Sequence, residues 1–188
     1  MPDAVLMCDT ESSLAEAAIL SEPWLSTATS PDVLARSDIV TAAAEQSMSA
    51  PRRVVIRTPG LVVEIQARGP LPESFLKSIQ GVADLLSLPS GWSSYSAKPI
   101  APQNATRAIR LLAEFLRPEI PPPLIVPTVR GGIQLEWHTK GINIEIYIDT
   151  PESIRFFAEH VESEASFEGS LAGHEQELRL WMERISGK

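Results

Sequence analysis

The stretch GGIQLEWHTKGINIEIYID, residues 131–149, decides the fold. Ile133, Leu135 and Trp137 alternate with Gln134, Glu136 and His138. After the turn Thr139-Lys140-Gly141, Ile142, Ile144, Ile146 and Ile148 alternate with Asn143, Glu145 and Tyr147. A side-chain period of two sends each set to its own face of a strand. One apolar and one polar face means an antiparallel sheet, covered by helices on one side and wet on the other. With Lys140-Gly141 in the turn, the ladder sets Glu136 opposite Glu145, with His138 and Tyr147 nearby.

The same period continues on both sides. IRFFAEH after Pro151-Glu152-Ser153 reads as a third strand, completing a meander. Upstream, RRVVIRT and LVVEIQAR flank Pro59-Gly60 and form another hairpin. VVIRTPGLVVEI (54–65) and LEWHTKGINIEI (135–146) share pattern, turn and ending, as a duplication would or as two hairpins of one sheet would. Between the hairpins the period changes to that of a helix. Phe75, Ile79, Val82 and Leu86 line one face, and after Pro102 so do Ala105, Ile109, Leu112 and Leu116. Arg107, Arg110, Glu114 and Arg117 fall off the second stripe, and PPPLIVP (121–127) reads as extended. ESEASFEGS reads as an acidic linker to a last helix through Leu178, Leu180, Trp181 and Ile185.

The first 50 residues read as a separate, acidic helical N-terminal arm on an α+β domain spanning 51–188. Thr10 or Ser12 can cap a helix through Leu14 and Ile19. Ser30-Pro31-Asp32 can open another with Val33, Leu34, Ile39 and Val40 inward. Eight acids and one base lie in this region, of a chain whose net charge is −8. No basic stripe of the kind that binds nucleic acid is present. The charge suits a protein partner with a basic face instead. No run of about 18 apolar residues offers a membrane span, and the N-terminus lacks the basic and apolar regions of a secretory signal. Cys8 is the single cysteine, so a cytoplasmic protein without internal disulfides is expected.

GWSSYSAKPI (91–100) places Trp92 and Tyr95 in a Gly/Ser/Pro connection. They can plug the end of the helix pair, or act as rigid aromatic anchors at an interface. This stretch, a Pro-opened helix, a Pro-rich run and GGIQLEWH together resemble a group of uncharacterised small bacterial proteins over roughly residues 85–160. The pattern expected there is G-W-D-S-Y-G-A-K-P-I followed by P-T-x-x-G-G-V-Q-L-E-W. Ser93 and Ser96 stand where that pattern has Asp and Gly. The resemblance implies a bacterial setting and no particular chemistry.

Opposed carboxylates raise one another's pKa, so Glu136 and Glu145 with His138 are the candidate catalytic group, suited to a small hydrolase. The alternative is a solvated sheet face. His160, Glu162, Glu164 and His174 match no metal-ligand spacing. No nucleophile elbow, phosphate loop or dinucleotide fingerprint occurs, and no cofactor or metal is expected. The leading expectation is therefore non-enzymatic protein binding, of the antitoxin, immunity or accessory-subunit kind. Asp3, Asp9, Glu11 and Glu16 of the arm, with Trp92 and Tyr95, are its candidate contacts. A structural subunit of a larger assembly is the third reading.

Overall fold

The computed structural model describes residues 4–9, 38–41, 52–58, 61–67, 71–93 and 96–187. They form an α+β architecture of three helices and two antiparallel sheets. The meander is built as its alternation dictates. Strands β6 (Ile133–Thr139) and β7 (Ile142–Ile148) bury every second residue. Lys140 and Gly141 both take positive φ, 53° and 70°. That is the mirror-image turn whose twist suits a two-residue hairpin. It sets the register: Glu136 pairs with Glu145, and Trp137 with Ile144. Strand β8 (Ile154–His160) pairs with β7.

Two further strands complete this sheet in the order β5-β6-β7-β8-β9. The extended run 121–127 supplies β5 (Leu124–Pro127), a short edge strand where its prolines are tolerated. The expected acidic linker is instead β9 (Ala165–Ser170). Ala165, Phe167 and Gly169 alternate with exposed Ser166, Glu168 and Ser170. Phe167 stacks on Phe156 with ring centroids 4.6 Å apart. One buried aromatic contact outweighs an unpromising composition, and the acids simply occupy the wet positions.

The upstream hairpin forms as read, with β3 (Arg52–Thr58) paired to β4 (Leu61–Ala67), but in a separate sheet from the second hairpin. Val54, Ile56, Leu61, Val63 and Ile65 point inward. Its order is β1-β4-β3-β2, with β1 at Ala4–Asp9 and β2 at Asp38–Thr41. Residues 38–41, expected within a helix of the arm, are thus a strand, in register Ile39 to Ile56 and Val40 to Val55. The open edges of a hairpin offer backbone hydrogen bonds that a marginal helix of β-branched residues cannot match. A boundary at 50/51 would cut the chain inside this sheet. The first helix expected in the arm, around Leu14–Ile19, lies outside the described residues.

Helix α2 (Pro102–Phe115) packs against α1 (Glu73–Leu85) and touches β1 and β4 of one sheet and β6 and β7 of the other. This position explains why it is buried beyond the expected stripe: Asn104, Ala108, Leu111 and Phe115 are covered as well as Ala105, Ile109 and Leu112. Helix α3 (Glu175–Ser186) inserts Leu178, Trp181, Met182 and Ile185, whereas Leu180, expected on that face, is exposed. All three helices and both sheets share one hydrophobic core.

Candidate functional site on the open face of the second sheet

The wet side of the five-stranded sheet gathers more functional groups than any other surface described. Register aligns them in rows. Glu136, Glu145, Phe157 and Glu168 form one row across β6 to β9. Gln134, Tyr147, Arg155 and Ser170 form a second, and His138, Asn143, Glu159 and Ser166 a third. Glu136, His138 and Glu145 therefore do come together, as the alternation required. Helix packing is confined to the opposite, apolar side, where Ile133, Leu135, Ile144 and Ile146 are buried.

Glu136, Glu145 and Glu159 each meet a hydrogen-bond partner. His138 places Nε2 3.2 Å from Oε2 of Glu136 and Nδ1 2.9 Å from Oδ1 of Asn143. The Asn143 amide nitrogen donates to Glu159 Oε1 at 2.6 Å, which leaves its oxygen for the ring. Both imidazole nitrogens thus face acceptors, and only the imidazolium donates from both. Glu145 Oε2 accepts from the Tyr147 hydroxyl and from the Gln134 amide, the latter at 3.1 Å. The Arg155 guanidinium lies 5.3 Å from the Tyr147 ring centre and 3.5 Å from Asp149 Oδ2. Glu145, Tyr147, Arg155, Phe157 and Glu168 line a shallow, open depression in this face.

These partners set the protonation states. Hydrogen bonding to Asn143, then to Glu136, raises the His138 pKa above its ordinary 6.5; burial opposes this weakly, and the charges of Glu136 and Glu145 add to it. The Tyr147 phenol is pushed up to about 12, first by its hydrogen bond to Glu145 and then by burial. At neutral pH it is a donor and not a base. Because the folded His138 holds its proton more tightly than the unfolded chain does, its stabilisation is complete below about pH 6.5 and fades as pH rises through the raised value. An NMR titration should place its midpoint above 6.5, and Glu136→Gln should lower it. A midpoint at or below 6.5 would mean the Glu136 and Asn143 contacts do not persist in solution.

Asp9 ends β1 opposite Val62. Asp3, Glu11, Glu16 and Tyr95 lie outside the described residues. Trp92 is half-buried and donates its indole N–H to the Lys98 carbonyl at 3.2 Å, which fits the plug. Ser96 takes φ 52°, a left-handed conformation natural to glycine. His160 Nδ1 accepts from the Ser163 N–H and His174 Nδ1 meets the Ser170 carbonyl; among the described residues no His, Cys, Asp and Glu group could hold a metal. No described helix is long and apolar enough to cross a membrane.

Sequence reasoning set Asn143 on this face without giving it a role, and missed Arg155, Phe157, Glu159 and Glu168 as members of it. The alternation of β8 carried that signal for the first three, and β9 had to be recognised for the last. A cleft of about 320 Å³ also lies between α2 and α3, with Phe115, Ile120 and Met182 among its lining. At its rim Arg179 pairs with Glu114 and lies over the Phe115 ring, 4.9 Å from its centre. Comparison with protein-family models, with curated proteins and with solved structures finds no match to this chain.

Proposed function

We propose that the protein binds another protein through the open face of the five-stranded sheet, and that the partner presents a basic surface. The observation carrying this reading is the set of four carboxylates, Glu136, Glu145, Glu159 and Glu168, spread over four adjacent strands around half-buried Phe157. An aromatic centre within charged groups is the anatomy of an interface. Arg155 and His138 answer only part of the negative charge, and complementary charge speeds association more than it tightens it. An antitoxin, immunity protein or accessory subunit of a bacterial complex works in this way.

The hydrolytic reading keeps one observation in its favour, the Glu136–His138 contact. Against it, both nitrogens of His138 meet acceptors and Glu145 already accepts two hydrogen bonds. Binding is tested by isolating the partner from the native host and measuring association with a Glu145→Gln, Glu159→Gln double variant. These near-isosteric changes remove two charges while preserving shape. The association rate should fall roughly three- to tenfold, and its dependence on salt should flatten. A rate unchanged by both substitutions and by salt would rule this face out.

A further inference from the structure

Strand β9 ends the five-stranded sheet, and its free side is unusually receptive. The Leu171 N–H bonds the Ile154 carbonyl at 2.8 Å, which fixes the phase of the β8–β9 ladder. Ala165, Phe167 and Gly169 therefore spend their backbone groups on β8. Those of Ser166, Glu168 and Ser170 point away from the sheet. Of these, the Ser170 carbonyl meets His174 Nδ1 at 3.0 Å, and no described strand pairs with the rest. Edge strands are normally blunted by proline, lysine or shortness. The opposite edge obeys that rule, since β5 has four residues, ends in Pro127 and follows three prolines. Neither proline nor lysine occurs in β9.

Charge selects what can pair there. A second copy placed across a two-fold axis must match inward with inward positions. The register that joins all three outward-facing residues then sets Glu168 against Glu168 of the other copy, which like charges disfavour. Shifting it to pair Ser166 with Glu168 leaves only two hydrogen-bonding residues on each strand. The adjoining turn carries Glu162 and Glu164, adding to the repulsion. A cation opposite Glu168 meets no such cost, and it extends the row Glu136, Glu145, Phe157 and Glu168.

We propose that β9 is the docking edge for an extended segment of the partner with Lys or Arg at alternate positions, which adds a sixth strand to the sheet. This rests on the protein-binding reading above and supplies its backbone component. The probe is a capped hexapeptide of alternating lysine and valine, titrated into the full-length protein and followed by amide hydrogen exchange. Protection should appear at Ser166, Glu168 and Ser170, and a glutamate–valine peptide should not produce it. Ser166→Pro removes an N–H that bonds nothing in the fold, so it should fold normally and weaken the lysine peptide roughly tenfold. Glu168→Lys keeps the edge and should exchange the preference for the two peptides.

Absence of protection at these three amides would overturn the proposal. So would a concentration-dependent dimer in sedimentation that Ser166→Pro abolishes, because a second copy would then own the edge. The native partner separates the two readings. If Glu145→Gln with Glu159→Gln slows its association while Ser166→Pro leaves it unchanged, the face binds and the edge does not. If none of the four substitutions affects it, both readings fall.

Discussion

Asn104→Ala should lower folding stability by about 2–4 kcal/mol. Asn104 is buried in the first turn of α2, and its side-chain amide donates to the Gly131 carbonyl at 3.0 Å and to the Asp149 carbonyl at 3.1 Å. One carbonyl belongs to the loop before β6 and the other to the turn after β7. Truncation leaves the Asp149 carbonyl without this donor and the Gly131 carbonyl with the Ala101 N–H alone, and a lost partner at a covered carbonyl costs more than a hydrogen bond normally contributes. Asn104→Asp should cost at least as much, since it replaces the donating amide nitrogen with an acceptor oxygen facing two carbonyl acceptors. Urea unfolding with an unchanged slope is the measurement. A loss under about 1 kcal/mol would mean that water reaches these carbonyls.

Asn104 also explains why GWSSYSAKPI and the GG-containing run belong together. The Lys98 N–H bonds the Val129 carbonyl and the Ala101 N–H bonds the Gly131 carbonyl, each at 3.0 Å. Gly131 has φ 88°, and a Cβ there would stand 2.6 Å from the Pro99 carbonyl oxygen. A methyl at Gly132 would meet the Ile148 carbonyl oxygen at the same distance. The two motifs are two sides of one laced junction, with Asn104 tying it to α2. Ser93 lies in that connection, and its hydroxyl oxygen is enclosed without a protein hydrogen-bond partner.

Trp137→Ala should cost about 3–5 kcal/mol, and Trp92→Ala clearly less, about 1–2 kcal/mol. Trp137 is buried opposite Ile144 and donates its indole N–H to the Pro121 carbonyl at 2.8 Å. Its removal opens a cavity in the centre of the meander and frees the extended run that becomes β5. Trp92 covers a connection from outside and keeps part of its surface in water. Circular dichroism during denaturation compares the two without relying on the fluorescence that the substitutions themselves remove. Comparable losses would show the 91–100 connection to be as essential to packing as the sheet.

Much of this was legible because it is local. Alternation over 133–148 defined two strands, and the Lys140-Gly141 turn placed Glu136 against Glu145 without reference to the rest of the chain. The helical stripes at Phe75, Ile79 and Val82, and at Ala105, Ile109 and Leu112, likewise needed only a period and a boundary proline. Periodicity reports which face is buried, and burial is what a single element's sequence encodes.

What tertiary structure alone decided is pairing and hydrogen bonding between distant segments. ASFEGS has the composition of a linker; it is a strand because β8 offered an edge and Phe156 a ring to stack on. Ile39 and Val40 fit a helical stripe as well as a strand until β3 presents its open side. Asn104 is an ordinary polar residue at a helix start; its two acceptors lie 27 and 45 residues away in the chain. The acidic face is a third case, since its rows exist only once four strands are in register. Turn geometry and side-chain period act over a few residues and are written in them. The strength of an edge, a stacking partner or a buried acceptor depends on groups that folding brings close, and no local pattern records them.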